Sequence, residues 1–335
     1  MKHLSFPSIE QFRNVVKSVS DRTYHNGHVR KPVIMFRGTV KSHGTNASIV
    51  YDREENVFYA QSRSNVLSLT SDNAGFCQYF ETNREFFETW LRNTVSDGER
   101  YYSIYGEWCG GNIQKGVAIS GLPKMFLIFA LRLSNLDEDN NPVSNWYFDN
   151  LEVPKNEIGC YSIASFGTYE IAIDFNNPEL SQNQLVEWTE GVEEVCPIGK
   201  FFGNEGVGEG IVYHPVSADI PNFHLSELFF KVKGEKHSVS KVKTLAAVDV
   251  EVINSINELV ASLATDNRFN QGIQVLTERG IDVNDSKNTR DFITWVKDDV
   301  IKEDRDTILV SGLDFGKVIG NITSMAGKWF NSRPI

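Results

Sequence analysis

The hydrophobic pattern changes its period part-way along the chain, and this limits the fold more than any other feature. Up to about residue 243, strand-like and helical runs are mixed. Residues 45–51 (TNASIVY) and 57–62 (VFYAQS) read as strands around a polar turn, DREEN, which predicts a hairpin. Further strand-like runs lie at 101–108, 125–133, 209–213 and 227–233. Apolar spacing predicts helices over 9–20 and 76–95. Strands do not alternate regularly with helices, which argues against a parallel Rossmann-type sheet. Beyond residue 243 the pattern is helical alone: 246–264, 267–279, 288–303 and 315–330. Asp266, Asn288 and Asp314 stand at N-cap positions and Gly280 at a helix stop. The chain reads as an α+β domain over 1–240 and a small all-α domain over 245–335, joined by a polar, basic linker, 234–244 (GEKHSVSKVKT).

A length of 335 residues suits two domains. The net charge of −11 excludes wholesale coating of nucleic acid, which needs many basic contacts, but permits a local basic groove. The clearest is residues 224–243, with five lysines against two acids; a solvated linker is the plain alternative. No apolar run approaches the roughly 20 residues of a membrane span. The N-terminus, MKHLSFPSIEQFRNVV, lacks the apolar centre of a secretory signal. Cys77, Cys109, Cys160 and Cys196 are widely spaced, so neither a zinc site nor a disulfide framework is indicated, and a reducing, cytoplasmic compartment is expected. Residues 203–210 (GNEGVGEG) are followed by a strand rather than a helix, so they read as a turn and not a dinucleotide loop; no Walker loop occurs.

Chemistry concentrates in an ordered set of charged residues. Lys41 lies in V-K-S-H-G-T-N and Arg63 in Q-S-R-S at the end of the second hairpin strand. Glu107 lies in Y-G-E-W-C-G-G, and Phe126 opens F-L-I-F. Glu209 begins E-G-I-V-Y, and Lys231 and Lys233 lie in F-F-K-V-K-G. Nucleotidyl transfer needs a nucleophile, cations around phosphates, and carboxylates for metal and ribose. A lysine amine is nucleophilic only when neutral, and nearby cations with desolvation favour that form. Lys231 and Lys233 are two apart on a strand and so project from one face. They are expected to face the phosphates and to depress the Lys41 pKa. Glu107 and Glu209 are candidates for Mg²⁺ or ribose. For each residue alone the plain reading is a strand-end charge, a turn or, for Phe126, ordinary core.

Taken together, the six segments resemble the collinear motifs of covalent nucleotidyltransferases, the polynucleotide ligases and mRNA capping enzymes. The form K-S-H-G-T-N and the run G-E-W-C-G-G-N-I-Q-K-G-V are similar to bacteriophage RNA ligase 2 and the kinetoplastid RNA-editing ligases. The helical tail agrees, since DNA ligases and capping enzymes usually carry a β-barrel there. The resemblance is specific over 36–235. It implies two packed antiparallel sheets with flanking helices and the nucleotide between them. It implies ATP-dependent joining of a 3′-OH to a 5′-phosphate in RNA, with nicked duplex RNA as the expected partner, through lysyl-AMP. ATP is the co-substrate and Mg²⁺ the metal, for which Mn²⁺ can substitute; a monomer is expected. The implied roles are Lys41 as the nucleophile and His43 beside it. Val40, Asn46, Arg63, Glu107 and Phe126 fall at the nucleotide, with Phe126 stacking on adenine. Glu209 and Glu107 serve the metal, Lys231 and Lys233 the phosphates, and Thr45 and Asn46 sealing. Arg268, Asp299 and Glu303 resemble tail positions for adenylylating the RNA end. Val40 departs from the phage relative, which has a glutamate there, so a side-chain role is lost. Competing readings are a DNA ligase or capping enzyme, and a non-catalytic RNA-binding protein of the same fold.

Overall fold

The computed structural model describes the chain except residues 28–29, 95–97, 140–141, 149–150, 152, 154–157, 218–219, 238–255 and 334–335. In chain order, β1 (Glu10–Gln11) runs into α1 (Phe12–His25), followed by β2 (Val33–Lys41), β3 (Gly44–Asp52) and β4 (Val57–Ser62). Helices α2 (Phe76–Thr82) and α3 (Arg84–Thr94) precede β5 (Tyr101–Cys109), β6 (Met125–Leu136), β7 (Pro142–Tyr147), β8 (Cys160–Ser162) and β9 (Thr168–Asp174). Then come α4 (Gln182–Glu194), α5 (Pro197–Phe201), β10 (Gly210–Pro215) and β11 (Phe230–Lys233). The C-terminal helices are α6 (Ile256–Leu263), α7 (Asp266–Glu278), α8 (Thr289–Val310) and α9 (Phe315–Ser332).

The strands form two sheets, ordered β1-β11-β10-β2-β9 and β4-β3-β5-β6-β7, with β8 added beside β6. Pairing is antiparallel except for the parallel β1–β11 and β6–β8 edges. The fold is thus the α+β arrangement the sequence implies. The pleat of β6 explains how the layers separate, because successive side chains face opposite ways. Met125 and Leu127 join the core shared with the first sheet, α1 and α4, whereas Phe126 and Ile128 face α2 and α3. The C-terminal helices bury a separate core around Leu259, Phe269, Phe292, Val300 and Ile322.

Several boundaries differ from the sequence reading. The helix over 76–95 is two, because Asn83 turns its amide back to Tyr79 O at 2.8 Å and ends α2. In 227–233 only the second half is strand; Leu225–Leu228 form a 3-10 turn. β2, β9 and α4 were not read at all. The α7 cap is Thr265, not Asp266, whereas Asp314 caps α9 by accepting from Lys317 N at 2.8 Å. Asn288 stands at the start of α8 without a side-chain cap bond, and Gly280 follows α7 with a φ of +77°. The interdomain boundary near 240–245, with Lys241 and Lys243, lies outside the described residues, as does the first half of the helix expected over 246–264.

Candidate active site

The chain crosses from the first sheet to the second at Ser42–His43, between the end of β2 and the start of β3. This puts Lys41 at the seam of the two sheets. In the β2–β10 ladder Lys41 lies opposite Gly210, and in the β10–β11 ladder Gly210 lies opposite Lys233. Glu209, the residue before that glycine, is therefore delivered between two lysines. Gly210 has a φ of +149°, and a Cβ there would stand 2.2 Å from Val232 O, so only glycine permits this approach.

The resulting contacts are short. Glu209 Oε2 accepts from Lys41 Nζ at 2.8 Å and lies 3.1 Å from His43 Nδ1; its Oε1 is 2.9 Å from Lys233 Nζ. Glu209 is 2% exposed. Burial alone would raise its pKa, but Lys233 and Lys41, with His43, hold it well below the usual carboxylate range. Glu107 lies across from Asn46 on β5, and its Oε1 accepts from Gly44 N at 2.9 Å. Burial pushes Glu107 up to about 8, with Lys41 opposing.

Lys41 itself departs from expectation. Burial favours its neutral form, but Glu209, then Glu107 and Glu278, outweigh it and raise the pKa above the ordinary lysine value. The physical reason is the interleaving: Glu209 sits between Lys41 and Lys233, so the like charge that was to depress Lys41 is answered by a nearer acid. The depressed lysine is instead Lys231, lowered by burial, with Glu303 opposing. Lys231 Nζ donates to Ile9 O at 3.0 Å and is 3.8 Å from Glu303 Oε1. Lys231 and Lys233 both line the same cavity, as their spacing requires.

This cavity, of about 1450 Å³, is also lined by Thr45, Asn46, Arg63 and Asp299. Val40 borders it and belongs to the buried core. Phe126 is not brought there. It is 0% exposed, with its ring 4.9 Å from that of Phe76, on the α2–α3 side of β6. Three residues on, Phe129 lines the cavity. Arg268 is also absent from the lining. It is 0% exposed, donating to Asp299 at 2.8 Å, Leu263 O at 2.5 Å and Asp304 at 2.5 Å. All its nitrogens serve helix packing, so the arginine ties the helices together. Glu303 is buried against Lys231 and Lys302.

Among the described residues no three acid, histidine or cysteine side chains converge to form a metal cage on their own. Glu107 and Glu209 nevertheless fit a hard divalent cation that shares its shell with phosphates and water. The raised pKa of Glu107 marks a buried carboxyl short of counter-charge.

The family model for RNA ligase matches residues 35–233. The chain belongs to the RNA ligase family. No curated protein matches it. Among solved structures this family member is similar to a Naegleria gruberi RNA ligase mutant with ATP and Mn, at 14% identity over 70% of this chain and 58% of that one, TM-score 0.44. It is similar to the Naegleria gruberi RNA ligase with PPi at 13% identity over 70% of this chain and 56% of that one, TM-score 0.42. An archaeal ATP-dependent RNA ligase is 15% identical over 68% of this chain and 47% of that one, TM-score 0.37. The chain spans a little over half of the length of the Naegleria proteins it matches.

In this family member the C-terminal helices lie across the seam. Gln274 Nε2 of α7 donates to Gly44 O at 2.9 Å, and Glu278 lines the cavity. Arg13 of α1 reaches Asp304 at 2.5 Å, Thr307 at 3.0 Å and the Glu303 carbonyl. Gln274, Glu278 and Phe129 were missed in the sequence, where an amide or acid on a helix face looks like surface and a phenylalanine in a strand like core. No helix is long and apolar enough to cross a membrane among the described residues.

Proposed function

We propose that this family member is an ATP-dependent RNA ligase of the bacteriophage RNA ligase 2 and kinetoplastid editing type. It seals 3′-OH and 5′-phosphate ends in nicked duplex RNA. The observation that carries the reading is the bridged trio in which Glu209 contacts Lys41 at 2.8 Å and Lys233 at 2.9 Å, on the wall of a cavity of about 1450 Å³.

Lys41 Nζ attacks the α-phosphorus of ATP, forming a P–N bond as pyrophosphate leaves. AMP then passes to the RNA 5′-phosphate, releasing Lys41, and the 3′-OH displaces AMP to close the strand. Lys233 and Lys231 balance the charge that develops on the phosphoryl oxygens. Arg63 and Glu107 engage AMP or its ribose. Phe129, on the cavity side of β6, takes the base-stacking role in place of Phe126. A divalent cation bound at Glu209 and Glu107 would neutralise both acids and the phosphates, removing the hold on the Lys41 proton. Thr45 and Asn46 serve sealing, with Asp299 at the RNA side of the cavity. The division into 1–240, a linker over 234–244 and 245–335 is supported by the separate helical core. A reducing cytoplasm fits four free, buried cysteines.

The test is sealing of a 5′-phosphorylated nick in double-stranded RNA, beside nicked DNA and with GTP in place of ATP. Sealing of RNA with ATP alone is expected. Equal sealing of DNA, or use of GTP, contradicts the reading.

A further inference from the structure

Strand β11 ends at Lys233, and the residues that follow form a turn on the cavity wall. Glu235–His237 are a 3-10 turn, in which His237 N donates to Gly234 O at 3.1 Å. One carboxylate ties this turn to α4: Glu193 Oε1 accepts from Lys236 N at 2.7 Å. Gly234 permits that approach, because a Cβ there would collide with the same carboxylate. Lys236 and His237 both line the cavity. The His237 ring stands edge to face with His43, centroids 5.8 Å apart, and His43 in turn contacts Glu209.

Neither side chain is used up by the fold. His237 Nδ1 makes no hydrogen bond among the described residues, and Glu193 Oε1 lies 3.9 Å from it, beyond hydrogen-bond reach. Lys236 is exposed, and its ammonium makes no ion pair among the described residues. The lysines nearer the nucleophile are placed differently. Lys41 and Lys233 share Glu209, and Lys231 faces Glu303. Three ammonium groups against two carboxylates leave a single net positive charge, too little for a triphosphate. In-line displacement also puts the leaving group on the side of the α-phosphorus away from the attacking amine. Lys41 and Lys233 take opposite oxygens of Glu209, so that side is the Lys233 side, where the turn begins.

We propose that Lys236 and His237 seat the β- and γ-phosphates of ATP and hold pyrophosphate as it leaves. This rests on the ligase reading above, with Lys41 as nucleophile.

The reverse of the first step tests it. Purified adenylylated protein is given pyrophosphate and Mg²⁺. A pyrophosphate oxygen attacks the phosphorus of lysyl-AMP, a P–O bond forms as the P–N bond breaks, and ATP leaves while Lys41 regains a proton. The same adenylate, given nicked RNA without pyrophosphate, reports a step in which no β- or γ-phosphate takes part. His237→Ala should raise the KM for pyrophosphate, and for ATP in the forward direction, by about tenfold, on the scale of one hydrogen bond to a charged group. It should pass AMP to RNA at the wild-type rate. His237→Gln, which keeps an N–H donor, should recover part of the loss. Lys236→Ala should raise both constants by about threefold, the smaller effect of an exposed, salt-screened charge, and Lys236→Arg should restore them. A pyrophosphate KM unmoved in both alanine variants, or an equal slowing of discharge to pyrophosphate and transfer to RNA in His237→Ala, would overturn the proposal and leave the ligase reading standing. Wild-type protein that never labels on Lys41 would defeat the ligase reading first, and this proposal with it.

Discussion

Glu209 stands between Lys41 and Lys233, bonded to the first at 2.8 Å through Oε2 and to the second at 2.9 Å through Oε1. One carboxylate thus raises the pKa of Lys41, the proposed nucleophile, and anchors Lys233, the proposed phosphate ligand. Glu209→Gln should leave the two ammonium groups facing each other without a counter-charge. Lysyl-AMP formation should fall by about 100-fold or more, on the scale of losing a charged stabiliser of phosphoryl transfer. The residual rate should reach its alkaline plateau at lower pH, because Lys41 loses the acid that raises its pKa. A labelling time course across pH checks both, and an unmoved pH profile would contradict this role.

Glu107 gives a pH signature in stability. Its folded pKa, pushed up by burial to about 8, exceeds the ordinary value of 4.5. A folded carboxyl with a raised pKa keeps its proton after the unfolded chain has released it. Its contribution is thus most favourable below the unfolded pKa and is lost as pH rises toward the folded one. Glu107→Gln keeps an acceptor for Gly44 N but cannot ionise. Its melting temperature relative to wild type should climb from about pH 5 to about pH 9. A constant difference across that range would remove the assigned burial penalty.

The two faces of β6 should separate stability from nucleotide binding. Phe126→Ala opens a cavity among Phe76 and Phe87 and should cost about 3–5 kcal/mol in denaturant unfolding. Phe129→Ala should change stability less and raise the KM for ATP by about 3- to 10-fold. The opposite pattern would restore Phe126 to the nucleotide.

Arg268 should behave as a structural tie. Among the described residues, Arg268→Ala leaves Asp304, which is wholly buried, with Arg13 as its remaining counter-ion, and removes an ion pair of Asp299. Halving the counter-charge of a buried carboxylate, with the cavity left by a fully buried side chain, should cost about 3–5 kcal/mol of stability in the helical unit. Calorimetry should show that loss while lysyl-AMP formation persists. A variant that melts like wild type but fails to adenylylate RNA would return Arg268 to the RNA end.

Charged motif residues were legible because their chemistry is unusual in strands. Lys41, Glu107, Glu209, Lys231 and Lys233 have few structural reasons to sit where they do, and all line one cavity. The hairpin of β3 and β4 was legible because its turn is polar and its strands are not. β2 was hidden by Gly38, which reads as a break; a Cβ there would lie 2.6 Å from the Tyr213 ring, so the glycine serves a close approach across strands. The choice between Phe126 and Phe129 needed the strand's facing, and in a run of apolar residues sequence gives no parity. Arg268 shows the converse limit. Its carboxylate partners lie on α8, 31 and 36 residues away, and nothing local distinguishes such a tie from a binding residue. The sign of the Lys41 shift was likewise a tertiary matter, decided by which neighbour stands nearer.

The most direct measurement is covalent labelling. Protein incubated with α-labelled ATP and Mg²⁺ should gain one stable label that yields lysine-linked AMP at Lys41, and Lys41→Ala should gain none. Absence of label on the wild-type protein, or labelling that survives Lys41→Ala, would contradict the account.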